Sequence, residues 1–433
     1  MTYSPQSSKK IAIIGGGISG ITLAYFFNKL HPEIDITILE KSHLLGGKLK
    51  PQEHQGRMIP MGPKTVVLKE NSALEILLKD LQMMDKIIKP HPNAKERFII
   101  DQQKLKALPK KITDFFRSPF LGCLKEILLE PFQPKKAADE TVEAFFLRRF
   151  GKNVLHYFIH PMMKGIYGGG ADFIPISYAF DSLKKMEESF GGIVLGFLRS
   201  KKTKRTIFSF EKGLYELVEA IQNQLLAKIH FNFSVEKIVQ QQDHVAVYAK
   251  SQVLQFDHLF LALDVYHLIQ LIPEFSPYFK HGQFQSITQV YIEIDQECPF
   301  HGFGCLSLQE DSKPLLGILF DSVIFPHLNP KRFSCTVMLE GDFLEKDAKK
   351  IASEMIQKYL QLSHTPQLMV VKNYPHGIFV PGLGFKEAKK SLDEFLNSEF
   401  PRISVLEGVF KGVGVADQID NTYNLVKNFL AKS

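Results

Sequence analysis

An α/β fold follows from three features of this 433-residue sequence. It opens on a strand, a glycine turn and a helix. A run of short strand patterns from Ile229 returns the chain to that first sheet by Leu263. Between Ser286 and Gly341, alternating segments such as Val290–Ile294 and Cys335–Leu339 read as a second, largely antiparallel sheet. A strand, a glycine turn with Gly412 and Gly414, and a last helix close the chain.

The opening stretch KIAIIGGGISG, Lys10 to Gly20, carries the most information. Four apolar residues, Ile11 to Ile14, enter Gly15-x-Gly17-x-x-Gly20, and the apolar run Ile21 to Leu30 follows at once. That is the start of a Rossmann-type dinucleotide-binding unit. Gly15 permits the tight turn, Gly17 lets the backbone approach a pyrophosphate, and Gly20 lets helix and strand pack closely. The helix N–H groups then face the phosphates. A second strand, Ile34 to Leu39, ends in Glu40, where a carboxylate accepts from a ribose 2′-OH and repels a 2′-phosphate.

Composition bounds the rest. Hydrophobic residues make up 45% and charged residues 23%, ordinary for a globular chain long enough for two or three domains. Lys and Arg number 53 against 46 Asp and Glu, a surplus of 7 without basic blocks, so nucleic acid is not indicated. Cys123, Cys298, Cys305 and Cys335 form no C-x-x-C pair and have no zinc spacing, so no metal is read and reduced thiols are expected. Neither a signal peptide nor an apolar run of about 18 residues is found, and the expected location is the cytoplasm.

Ser72-x-x-Glu75 caps a helix whose apolar spacing continues to Ile88. Arg97–Ile100 and Leu105–Leu108 are strand-like. From Ile112 to Phe132, Phe and Leu alternate with Lys and Arg. The pattern fits either a peripheral membrane contact or a core-facing helix pair split by Pro119. Thr141–Phe150 is helical and ends at Gly151. Gly165 to Gly170 interrupts the helical region, and Phe208-Ser209-Phe210-x-x-Gly213 leads into another helix. Strand patterns follow at Ile229–Phe233, Val235–Val239, Val245–Ala249 and Val253–Phe256. Helices are expected over 347–362 and 385–396, packed on the second sheet.

With GGGISG and Glu40, Gly46-Gly47-Lys48, Gly62-Pro63, Ser234-Val235-Glu236 and Gly412-x-Gly414, the sequence resembles the flavin-containing amine oxidoreductase superfamily. Within it, GIYGGGAD at 165–172, Glu187 before GGIVLG at 191–196, and FSFEKGL at 208–214 resemble the oxygen-dependent protoporphyrinogen oxidases. The resemblance implies non-covalent FAD, with Gly15, Gly17, Ile18, Ser19 and Gly20 at the pyrophosphate and Glu40 and Lys41 at the adenosine. Gly47, Lys48, Gly62 and Pro63 would follow the pyrophosphate and ribityl chain. The Val235 backbone would meet the adenine, and Gly412, Gly414 and Val415 would lie by the isoalloxazine. Lys64, Gly168, Gly169 and Phe208 are the implied substrate contacts. Val66 and Val67 stand where relatives carry a basic residue for a propionate, with Lys64 or Lys69 as substitutes.

The implied organisation is an FAD-binding domain of segments 1–70, 205–264 and 399–433, a helical and membrane-facing region over 71–204, and a substrate domain over 265–398. The implied reaction is three rounds of oxidation that aromatise protoporphyrinogen IX to protoporphyrin IX, with oxygen as acceptor. No catalytic acid–base residue is identified. Coproporphyrinogen III differs by two carboxylates and is the nearest alternative. An amine oxidase, a carotenoid desaturase and a non-catalytic flavin-binding protein are the others. A monomer and a homodimer are both open.

Overall fold

In the computed structural model, the described residues are 9–430 except 201–202, 251, 297–299, 309–312, 329–331, 363, 407 and 409. Cys298, and Glu407 and Val409 of the C-terminal stretch, lie outside them. Two units form. One comprises Met1–Lys89, Lys204–Lys280 and Gly384–Ser433, the other Pro90–Thr203 and His281–Leu383.

The first unit is built on a five-stranded parallel sheet. Its order is Ile403–Val405, His258–Leu261, Lys10–Ile14, Asp35–Leu39, Lys228–His230. Ile13 stands between Ile38 and Phe260, and all three are fully buried. Strands covered on both faces are continuous apolar runs rather than alternating ones, as IAII is. The helices Ile18–Leu30 and Val415–Leu430 pack on each other over this sheet, where Phe26 meets Tyr423 at 5.0 Å between rings. An antiparallel meander, Lys237–Gln240, Val245–Ala249 and Gln252–Phe256, leads into the returning strand.

Three stretches join this unit rather than the regions expected of them. Helix Ala73–Asp80, N-capped by Ser72, buries Leu74, Leu77 and Leu78 in its core. That helix ends at Asp80, short of Ile88, because Gln82 turns the chain with φ 55°. Helix Val265–Leu271 follows directly from the sheet. Helix Phe385–Glu399 packs not on the second sheet but here, its Phe395 ring 5.5 Å from Tyr278 and 5.6 Å from Phe400.

His258 couples two of these strands: its Nε2 and Ser404 Oγ are 2.9 Å apart, and its ring abuts Phe260 and Phe429. Burial, aided by the charges of Lys9 and Arg402, pushes its pKa down to about 4. A folded-state value below the ordinary 6.5 means His258 stabilises the fold above pH 6.5. That contribution is lost as pH falls toward 4, to a total of about 3 kcal/mol. The expected result is that the stability difference between the natural chain and His258→Leu shrinks by about that amount from pH 7.5 to 4.5 in denaturant unfolding. A difference independent of pH would contradict it.

The second unit holds a seven-stranded sheet. Its order is Leu368–Pro381, Gly282–Ile294, Phe333–Glu340, Leu315–Leu319, Gly304–Ser307, Phe98–Asp101, Lys104–Ala107. It is antiparallel except where Gly304–Ser307 meets Phe98–Asp101. The sequence pattern does not mark the first of these as a strand, since Pro375 and Gly377 punctuate it. The structure absorbs them at a register shift between Gln285 and Ile287. Helix Glu345–Leu360 packs on this sheet as expected. Over 112–132 the chain forms short helices at Ile112–Phe116, Leu121–Leu129 and Glu130–Phe132. Cys123, Cys305 and Cys335 are buried and unbridged. Among the described residues, no helix is long and apolar enough to cross a membrane.

Candidate functional site

The glycines after the Lys10–Ile14 strand differ in what surrounds them. Gly15 has φ +102° and donates its N–H to Leu39 O at 2.9 Å; a Cβ on it would stand 2.6 Å from Ala262 O. On Gly16 a Cβ would meet Leu45 Cδ2 at 2.4 Å, and on Gly20 it would strike Gly15 O at 1.9 Å. The protein itself closes these three. Gly17 is different: its backbone is extended, φ −70°, and the nearest atom to an added Cβ is Gly47 Cα at 3.9 Å. Gly17 is also the N-cap of helix Ile18–Leu30, where no side chain caps the helix and no acid lies in the first turn. Open space at the positive end of an uncapped helix, at the carboxyl edge of a parallel sheet, fits a diphosphate.

Glu40 stands at the end of the second strand, 6% exposed. Its Oε2 accepts from the Gly16 N–H at 2.7 Å. Its Oε1 accepts from the Ser42 N–H at 3.0 Å, the Ser42 hydroxyl at 2.5 Å and Lys50 Nζ at 3.3 Å. Burial pushes its pKa up, but the Ser42 and Gly16 hydrogen bonds and the Lys50 charge outweigh that and hold it low. Glu40 therefore braces the glycine turn as its first task, and one lone pair of Oε2 remains for a ribose hydroxyl. Its backbone also ties in a neighbouring loop: Phe233 donates to Glu40 O at 2.9 Å and Asn232 to Ser42 O at 3.1 Å. Val235 sits half-buried in that loop, not in a strand, because the next strand begins only at Lys237.

The Gly46-Gly47 loop docks on the turn through the Gly46 N–H, which donates to Gly16 O at 2.7 Å; both residues have positive φ, 110° and 56°. Lys48 follows. The residue is exposed, yet protein atoms packed around its ammonium strip enough water from it to hold it below the usual lysine range, against the opposing pull of Asp264. Asp264 caps helix Val265–Leu271 by accepting from the His267 N–H, and its Oδ1 also lies 2.7 Å from His267 Nδ1. Lys41 Nζ lies 2.9 Å from His267 Nε2. An ammonium only donates, so Nε2 accepts and Nδ1 carries the proton given to Asp264. Burial raises the Asp264 pKa, yet the bonds from His267 and the charge of Lys48 bring it below the usual range. Sequence reading singles out Lys41 and Lys48 but not Asp264 and His267, which the structure sets beside them. Their signal was an N-cap aspartate directly after the returning strand.

Gly412, with φ +94°, and Gly414 lead into helix Val415–Leu430, whose first residue is buried. The Ser19 hydroxyl does not face the open turn: it donates to Gln418 Oε1 at 3.0 Å, so only the backbone of Ser19 remains for a phosphate. Gly62 is buried with φ +72° and Pro63 is exposed. Lys64 Nζ donates to Pro60 O within the same turn. Phe208, expected at the substrate, has no exposed surface; it packs on Phe210 at 5.4 Å in the core of the first unit, and a ligand cannot reach it. Gly168 and Gly169, φ +79° and +129°, end helix His160–Tyr167 in the second unit, and a Cβ on Gly169 would meet nothing within 4 Å.

A family profile described as flavin containing amine oxidoreductase matches residues 18–378. The chain is 25% identical to coproporphyrinogen III oxidase of Staphylococcus aureus, over 95% of this chain and 97% of that one. It is 26% identical to protoporphyrinogen oxidase of Schizosaccharomyces pombe, over 96% and 98%. A crystal structure from Exiguobacterium sp. 255-15, described as a candidate protoporphyrinogen oxidase, aligns with a TM-score of 0.85 and 20% identity over 99% and 100% of the two chains.

Proposed function

Because this chain belongs to the flavin containing amine oxidoreductase family, an FAD-dependent oxidoreductase, we propose that it oxidises protoporphyrinogen IX to protoporphyrin IX with oxygen as acceptor. The observation that carries this reading is length. Two relatives named for porphyrinogen oxidation run alongside 95% and 96% of the chain, so the likeness extends over nearly all of it. Three two-electron oxidations remove six electrons and six protons from the macrocycle, and three dioxygen molecules leave as hydrogen peroxide. Bound flavin supplies the two-electron oxidant. The chain's own residues bind and orient it. Gly17 leaves the diphosphate its space, the first N–H groups of helix Ile18–Leu30 and Lys48 offset its charge, and Glu40 keeps the turn rigid. The terminal turn, Gly412 to Val415, would face the ring end.

A second substrate, coproporphyrinogen III, is supported by the name of the Staphylococcus aureus relative. Supplying each porphyrinogen to FAD-loaded protein in air, and following porphyrin fluorescence and peroxide, separates the two. Porphyrin from protoporphyrinogen at the faster rate is expected. The faster rate with coproporphyrinogen would select the second substrate, and product from neither would refute the reading.

Peripheral membrane contact is part of the same proposal. Ile112, Phe116, Leu121, Leu128, Leu129 and Phe132 are exposed, as are Phe197 and Leu198 on the adjoining helix Ile193–Arg199. Lys110, Lys111, Arg117, Lys125, Lys135 and Lys136 are exposed too, whereas Asp114, Glu126 and Glu130 are wholly or partly covered. An apolar patch bordered by cations suits an anionic bilayer surface. Leu128→Asp with Phe132→Asp is expected to cut binding to phosphatidylserine vesicles by about tenfold or more in flotation. Unchanged flotation would dispose of the contact.

A further inference from the structure

We propose that Gln418 is a positioning residue that locks the terminal glycine turn to the first one, so that the two halves of FAD are bound as a single unit. The inference rests on the FAD placement given above. Gln418 lies in the first turn of helix Val415–Leu430. Its Oε1 accepts from the Ser19 hydroxyl at 3.0 Å, and its Nε2 donates to Gly412 O at 2.8 Å and to Gly408 O at 3.2 Å. Two carbonyls can only accept, so the amide has one orientation: nitrogen toward the terminal loop, oxygen toward Ser19. Both amide protons are used.

The contact is close on both sides. A Cβ on Gly408 would lie 1.8 Å from Gln418 Oε1, so that loop folds directly on the amide. One turn further along, the buried hydroxyls of Thr22 and Thr422 meet at 3.1 Å, which holds the same two helices at a fixed distance. Gly412 itself has φ +94° and no side chain with which to fix its own position. Its carbonyl is held instead by a residue six positions on, and that residue accepts directly from the second residue of the diphosphate helix. Without Gln418 the two turns remain, but their spacing relaxes.

The test compares FAD with ADP, which occupies the adenosine and diphosphate positions alone. Apo-protein of the natural chain, Gln418→Ala and Gln418→Glu is titrated with both ligands by calorimetry at pH 8. Glutamate is isosteric with glutamine but turns a second acceptor toward the two carbonyls, so a role in packing alone survives Gln418→Glu whereas the lock does not. The expected result is FAD binding weakened by about 10- to 100-fold in both variants, with ADP binding changed by less than about twofold. FAD affinity retained in Gln418→Glu, or equal losses for FAD and ADP, would overturn the lock. No ADP binding to the natural chain would instead overturn the FAD placement on which it rests.

Discussion

Gly17→Val is expected to yield a folded protein without flavin. Gly17 has an ordinary extended backbone, and the space beside it is open. A valine there costs the apo-fold within about 1 kcal/mol, the usual range for changing an N-cap residue from glycine. Its methyl groups would fill the volume that faces the uncapped helix end and weaken FAD by more than about 100-fold. Gly20→Val provides the contrast, because its Cβ would overlap Gly15 O, 1.9 Å away. The turn must open, at about 3 kcal/mol or more of stability. Flavin content by absorbance and apo-stability by denaturant unfolding separate the two outcomes. Full flavin content in Gly17→Val would refute the assignment of the open space to the diphosphate.

Glu130→Ala is expected to destabilise the second unit by about 3–5 kcal/mol, because it strands a buried cation. Arg149 and Glu130 are both fully buried. Arg149 donates through Nε to Glu130 Oε1 at 2.8 Å and through Nη1 to Gln133 O at 2.8 Å; Nη2 also pairs with Glu130. The Glu130 carboxylate accepts from the Ile193 and Val194 N–H groups at 2.8 and 3.1 Å, and so caps helix Ile193–Arg199. Around them, Glu187 takes Arg148 at 2.8 Å and Lys184 at 3.1 Å. Burial pushes the Glu187 pKa up, and these cations bring it below the usual range. With Glu140, which also pairs with Arg148, three carboxylates face the three cations Arg148, Arg149 and Lys184, so removal of one acid leaves a surplus with little solvent to screen it. Thermal or denaturant unfolding measures the loss, and a change under about 1 kcal/mol would show that water reaches Arg149 after all.

Local pattern made the first unit legible. The strand, turn and helix from Lys10 to Leu30 and the second strand ending at Leu39 fall where the glycines and apolar runs indicate, because each reports conformation within a few residues of itself. The same holds for the hairpin Phe98–Asp101 and Lys104–Ala107. Contacts that cross the chain left no such signal. Ser19 and Gln418 are 399 positions apart, and nothing near serine says that its hydroxyl points at a glutamine rather than a phosphate. Glu40 was recognisable as an acid at the end of the second strand, but its bond to Gly16 depends on the shape of a closed turn. Helix Phe385–Glu399 showed its apolar face clearly in sequence. Which sheet or helix that face meets is decided by partners such as Tyr278, over a hundred residues earlier. The long strand Leu368–Pro381 was hidden because proline and glycine signal turns, and only its partner strand supplies the irregularity that accommodates them.

The proposed step, electron transfer from a porphyrinogen to flavin bound by this chain, has a visible signature. Anaerobic mixing of FAD-loaded protein with protoporphyrinogen IX and, separately, coproporphyrinogen III, followed at the oxidised-flavin absorbance band, tests it directly. Bleaching within the mixing experiment is expected with at least one of the two, followed by return of the band when air is admitted. A band that stays at full height with both porphyrinogens, in protein shown to hold FAD, would contradict it.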